Sequence, residues 1–247
     1  MRLYQCGMGR VQDVSDRLRD FVPAAFRKHG FPVPSAQWFA TAGPKLPLYV
    51  WMLAWPNSDV RAKAFGDLWA DPDFQTLRTR TNGAREMVLR YDIYLMHRTR
   101  AADTIAALHG SGPATDPLHE LRVHEIWPGK TAEAIDRLCR TDLPALKRAG
   151  ATTLGVFDVQ SGPSIPGLAH VLTWPSYEAR ERGMAAYETD PEVARLNQAE
   201  ADALKTHVIG RHDTWLLRPT DFCPPYLNFA ERPWYDRCRS TGRTEAP

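Results

Sequence analysis

Two histidines, two glutamates and an arginine fall within seven residues, His119-Glu120-Leu121-Arg122-Val123-His124-Glu125, followed by Ile126-Trp127-Pro128-Gly129-Lys130. An imidazole changes charge near neutral pH and can serve as a general acid or base. A guanidinium next to it can hold a carboxylate or a developing enolate oxygen. The run reads as a strand, a Pro-Gly turn and a helix start at Thr131. Strand alternation puts Leu121 and Val123 on one face and Glu120, Arg122 and His124 on the other. The apolar face is expected against helices, and the polar face toward water or a polar cavity. That second face is where chemistry is expected.

The element that positions these residues occurs twice. Met1 to Arg10 lies over Leu121 to Lys130, so that Arg2 matches Arg122 and Tyr4 matches His124. Asp16-Arg17-Leu18 matches Asp136-Arg137-Leu138, and Gly30 matches Gly150. With one residue of slippage, Gly43-Pro44 matches Gly162-Pro163, Trp55-Pro56 matches Trp174-Pro175, and Asp71-Pro72 matches Asp190-Pro191. Arg90-Tyr91-Asp92 then matches Arg211-His212-Asp213. Landmarks in this order at nearly constant spacing mark an internal duplication.

Each half reads β-α-β-β-α-β, the ferredoxin-like plan, with an extra helix before the last strand. In the first half the strands are Met1–Cys6, Ala36–Thr41, Leu48–Trp55 and Glu86–Arg98. A helix over 11–29, kinked at Pro23 and closed by Gly30, follows the first strand. Ser58 is read as the cap of the second helix, and Asp71-Pro72 opens a short one. The second half repeats the plan with strands His119–Trp127, Thr153–Gln160, Leu168–Trp174 and His207–Leu217. The expected units are 1–98 and 118–219, with a linker over 99–117 and a Pro- and aromatic-rich tail over 220–247. That tail, carrying Pro224-Pro225-Tyr226 and Pro233-Trp234-Tyr235, is expected to pack on the body or on a partner.

Of 247 residues, 43% are hydrophobic and 24% charged, as in a globular protein. A net charge of +2 argues against an electrostatic nucleic-acid partner. The sequence shows no membrane-spanning run and no signal-peptide core, so a cytoplasmic location is expected. Cys6, Cys139, Cys223 and Cys238 have neither C-x-x-C nor zinc spacing and are read as free thiols. A G-x-G-x-x-G fingerprint, a P-loop and a G-x-S-x-G elbow are all missing, which argues against nucleotide-dependent and serine-hydrolase chemistry.

Glu120-Leu121-Arg122-Val123-His124 followed by Pro128-Gly129-Lys130 resembles the opening of a NIPSNAP domain. Ala169-His170-Val171-Leu172-Thr173-Trp174 with Arg180 and Arg182 beyond it, and Leu216-Leu217-Arg218-Pro219, are similar to later parts of that family. The first half shows the likeness more weakly, with Trp51 in place of His170. The resemblance implies a dimeric α+β barrel. Two fused copies imply one chain forming a whole pseudo-dimeric barrel, so a homodimer would use outer helices, edge strands or the tail.

In such a barrel Glu120, Arg122, His124, His170 and Trp174 are expected to face the lumen with Arg211, Asp213 and Trp215. From the first half come Arg2, Tyr4, Trp51, Trp55, Arg90, Asp92 and Tyr94. His124, His170, Arg122 and Asp213 are the catalytic candidates. Tyr4, Arg2, Trp51, Arg211, Trp174 and Trp215 are the substrate-binding ones. Plainer roles compete: Asp92 is read as an ion-pair partner of Arg2, Asp213 stands between chemistry and pairing with Arg122, and Trp55 and Trp174 are read as strand-end plugs. His29, His97 and His109 receive no role. An aromatic-walled cavity with few ionisable groups suits a flat, partly polar molecule. Three functions follow. One is a cofactor-independent isomerase, cyclase or monooxygenase acting on an aromatic or polyketide-like substrate. Another is a haem or metal binder using His124 or His170, although the sequence offers only Glu120 or Asp213 as a third metal ligand. The last is a non-catalytic interaction module.

Overall fold

The computed structural model describes residues 1–109, 118–204 and 207–222. Residues 110–117 of the expected linker and 223–247 of the expected tail, with Cys223, Cys238 and the tail's aromatic motifs, lie outside the described residues. The first half contains β1 (Arg2–Cys6), α1 (residues 11–28), β2 (Ala36–Ala42), β3 (Leu48–Met52), α2 (Ser58–Ala70) and α3 (Pro72–Asn82). Its last strand comes in two pieces, β4 (Val88–Ile93) and β5 (Leu95–Arg98). The second half contains β6 (Leu118–Ile126), α5 (residues 131–148), β7 (Thr152–Ser161) and β8 (Gly167–Trp174). It ends with α6 (Tyr177–Glu188), α7 (Pro191–Leu204) and β9 (Ile209–Pro219). Between the halves, α4 (Ala101–His109) occupies ground whose composition predicted a linker. Its alanines favour helix, and Ala101 and Ile105, one turn apart, bury the same side.

Local chemistry explains the paired details. Both long helices pass through a π-turn, Arg17–Phe21 and Leu138–Asp142, just before Pro23 and Pro144. A proline there lacks an N–H and crowds the preceding turn, and the widened turn accommodates it. Gly30 and Gly150 end those helices at φ of +70° and +94°, a region that favours glycine. The cap of α2 is Asn57 rather than Ser58: its side chain accepts the Val60 N–H at 2.9 Å. Ser176 does the same for α6, accepting from Ala179 at 3.1 Å.

The nine strands run in the order β4-β1-β3-β2-β9-β6-β8-β7-β5. Each half is antiparallel, with its fourth strand beside its first. β4 and β5 form one line of chain broken at Tyr94; the first piece pairs with β1 and the second with β7. β9 does likewise, pairing with β6 along most of its length and with β2 at its end. The sheet therefore closes on itself and leaves neither half with an open edge. The chain is an α+β protein whose two ferredoxin-like halves build one pseudo-two-fold barrel.

The barrel interior is apolar. Leu3, Val50, Trp38, Leu121, Val123, Val171, Trp215 and Leu217 meet there from both halves, and no member of this set is more than 9% exposed. Trp38 and Trp215 bring polar N–H groups into that interior, and both are satisfied: Trp38 donates to His119 Nδ1 at 2.9 Å and Trp215 to the Pro44 carbonyl at 3.0 Å. Helices pack on the outer face, against Tyr49 and Trp51 in the first half, where Phe26 of α1 stacks on Trp51, and against Leu168, Leu172 and Trp174 in the second.

Gly183 sets how closely α6 approaches the sheet. A Cβ there would lie 2.4 Å from the Trp174 ring and 2.5 Å from the Ala149 carbonyl oxygen. Gly183→Ala should therefore cost about 1–3 kcal/mol by overpacking, although alanine is the better helix former by about 1 kcal/mol. Urea unfolding checks this; a stabilised variant would refute the close-packing account.

Candidate functional site

β6 is flanked by β8 and β9, and the registers bring three histidines together. Arg122 lies opposite His170 on β8 and Thr214 on β9, while His124 lies opposite His212. The side chains of Glu120, Arg122, His124 and His170 are buried on the face covered by α5, α6 and α7, and His212 lies at the exposed end of that face. A cavity of about 230 Å3 remains between that face and the helices, lined by the three histidines, Arg122, Arg137, Tyr187 and Asn197 among others.

The His124 ring lies 6.2 Å from that of His170 and 4.9 Å from that of His212. Both His124 ring nitrogens are buried and have no hydrogen-bond partner. Burial, with His170, His212 and Arg122 adding positive charge, pushes its pKa well below the usual imidazole value. His170 is pushed down to about 3, by burial first and by Arg122 second, and its Nε2 lies 3.4 Å from the Thr153 hydroxyl. At neutral pH the cluster is therefore a set of uncharged imidazoles, each with a lone pair.

The guanidinium beside them is held by a buried carboxylate. Arg122 Nε donates to Glu120 Oε1 at 2.8 Å, and Arg180 donates to both Glu120 oxygens at 3.0 and 3.1 Å. Trp174 Nε1 donates to Oε2 at 2.8 Å. Burial alone would raise the Glu120 pKa, but Arg122 and Arg180 overcome it and hold the carboxyl at about 2. From the helix side, Arg137 bridges Asp142, Glu200 and Asn197 at 3.0, 2.7 and 2.8 Å.

This arrangement corrects the lumen assignment. His124, His170 and Arg122 do lie together, but under the helices, because Leu121 and Val123 fill the barrel interior. Trp174 is on the same outer face, bound to Glu120. Tyr4, Arg2 and Trp51 occupy the corresponding face of the first half: Tyr4 packs edge-on to Trp51 at 5.6 Å and against Tyr91 at 5.7 Å. Of the residues expected in the lumen, Trp215 and Tyr94 are there, as core side chains. Arg211 and Asp213 alternate to the Trp215 face of β9 and are exposed, away from the histidines. Asp92 pairs with Lys45 at 2.7 Å rather than with Arg2. Among the described residues no three His, Cys, Asp or Glu side chains converge to hold a metal ion.

His212, Arg137 and Tyr187 belong to the cavity and were not among the sequence candidates. A signal for His212 exists. Trp215 and Leu217 are the apolar set of β9 and must join Leu121 and Val123, which sends His212 to the side of His124. Arg137 and Tyr187 come from helices, whose orientation the strand pattern does not address.

The comparisons fit this geometry. Residues 119–224 match the NIPSNAP family model. The match to this family lies in the second half. No curated protein matches the chain. Among solved structures, a mutant chlorite dismutase from Candidatus Nitrospira defluvii superposes at a TM-score of 0.52 with 9% identity, covering 93% of this chain and 92% of that one. An anthrone oxidase-like protein gives 0.51 with 15% identity, covering 90% and 93%. A candidate monooxygenase from Lactobacillus acidophilus gives 0.50 with 10% identity, covering 88% and 91%. At such identities these likenesses establish the fold. Among the described residues no helix is long and apolar enough to cross a membrane.

Proposed function

We propose that the cavity under α5, α6 and α7 is the site of a cofactor-independent enzyme of the isomerase, cyclase or monooxygenase type, acting on a compact aromatic or polyketide-like molecule. The observation that carries this reading is His124, a buried neutral imidazole with no protein partner at either nitrogen, facing a cavity. Unsatisfied polar atoms are rare in protein interiors, and a ligand's hydroxyl or acidic C–H is a natural partner. His124 takes the proton, and the positive Arg122 beside it favours the enolate or phenolate oxygen that forms. The anthrone oxidase-like and candidate monooxygenase neighbours support the substrate class by analogy of fold alone.

The chlorite dismutase neighbours raise haem as the other reading. The imidazoles have the right donor chemistry, but a cavity of about 230 Å3 is far smaller than a macrocycle of that size needs. A tetrapyrrole does not fit while α6 and α7 stand where they do.

The test is turnover of anthrone under air by the full chain, followed by the absorbance of the quinone product. His124→Ala and His170→Ala should each lower it by about a hundredfold or more, the scale of a lost general base. Tyr4→Phe, in the first half, should change it little. An unchanged rate for His124→Ala removes the base assignment. A Soret band in the purified protein would favour the haem reading.

A further inference from the structure

The two halves differ in how they neutralise one repeated constellation. In the second half Arg122, Arg180 and Trp174 converge on the Glu120 carboxylate, with Met184 Sδ 2.8 Å from Arg122 Nη2. In the register of the duplication these residues correspond to Arg2, Arg61, Trp55 and Phe65. All four line a cavity of about 480 Å3, together with Trp51. The two guanidinium groups share one aromatic neighbour: Arg2 lies 4.2 Å and Arg61 5.0 Å from the centre of the Phe65 ring. Arg2 Nη1 donates to the Tyr4 hydroxyl at 2.9 Å. No aspartate or glutamate among the described residues pairs with Arg2 or Arg61; the other neighbours of the Arg2 guanidinium are the rings of Tyr4, Trp51 and Tyr91, at 5.9, 5.8 and 5.6 Å. The buried Trp51 ring is part of the same cavity wall.

We propose that this cavity is a second ligand site, in which Arg2, Arg61 and Trp55 bind the carboxylate of a small aromatic acid where the other half supplies its own Glu120. The second half serves as the template. It shows that two such arginines and an indole N–H can converge on the two oxygens of one carboxylate, with distances between 2.8 and 3.1 Å. Paired guanidinium groups favour a planar, bidentate acceptor over a neutral amide. The volume lies within the range of about 300–1,000 Å3 of small-molecule sites. Trp51, Trp55 and Phe65 give the wall an aromatic character that suits a ring attached to the carboxylate. Burial, with the Arg2 cation beside it, already presses the Arg61 pKa downward, a strain that a bound anion relieves.

The experiment is calorimetric titration of the full chain with benzoate, with its neutral analogue benzamide, and with inorganic phosphate. Benzoate should bind at millimolar concentration or below, at least tenfold more tightly than benzamide, and phosphate should not displace it. Arg61→Gln should weaken benzoate at least tenfold with an unchanged melting temperature, since Arg61 is only half-buried. Arg61→Lys should recover part of the loss. No binding of benzoate, equal binding of benzamide, displacement by phosphate, or full affinity in Arg61→Gln would each overturn the proposal.

Discussion

Glu120→Ala should destabilise the protein by about 3–5 kcal/mol, the cost of leaving a buried charge without its partner. The carboxylate is fully buried and accepts hydrogen bonds from Arg122, Arg180 and Trp174. Its loss strands two guanidinium groups against the sheet and opens space beneath α6. The ion cluster as a whole need not be stabilising, because desolvation of its three charges opposes their attraction. Replacing all three together, as Glu120→Leu, Arg122→Met and Arg180→Leu, should therefore recover much of the loss. Denaturant unfolding of the single and triple variants decides this. If the triple variant is as unstable as the single one, packing around Glu120 rather than uncompensated charge is what matters there.

The duplication was legible because its landmarks are Gly, Pro, Trp and Asp residues tied to turns, caps and strand ends. With the NIPSNAP-like motifs it was enough to anticipate a closed barrel from one chain. The alternation in β6 was legible too: Leu121 and Val123 do lie opposite Arg122 and His124. What alternation cannot tell is which face is outside, because both faces of β6 are buried, one by the opposite half and one by helices. The rule that polar residues seek a cavity then pointed to the lumen. A closed eight-stranded barrel, however, is just wide enough to be filled by side chains, and it takes the apolar ones. The polar set went under the helices, where Arg180 of α6 and Trp174 meet Glu120.

The likeness between the sites of the two halves was half visible. Tyr4 against His124 and Trp51 against His170 were read from the repeat. Tyr91 against His212 completes the set, so that an aromatic trio in one half stands where a histidine trio stands in the other. On β9 it is His212, one residue from Arg211 and Asp213, that lies beside His124. The role of Glu120 was less accessible still, because Arg180 reaches it from a helix.

Acid should unfold this protein at unusually mild pH, and the histidines give the sign. His170 titrates near 6.5 in the unfolded chain and at about 3 in the folded one, so between those values the unfolded state binds more protons. Stability is then full above pH 6.5 and falls as pH drops through that value. Between pH 7 and 5 this one residue removes about 2 kcal/mol, which can be a large part of a domain's total stability. His124 acts in the same direction, since burial and its cationic neighbours lower its pKa as well. Glu120, held at about 2, adds its own loss only below the ordinary glutamate range, so the histidine effect is seen first. Melting temperature measured from pH 7 to 5 should fall steeply in the wild-type chain. His170→Gln, which cannot take up a proton, should melt with a visibly shallower dependence on pH, whatever its stability at pH 7. A flat profile in the wild-type chain would mean that the imidazoles are hydrated in solution. The site would then be an open, solvent-filled cleft in which His124 titrates normally.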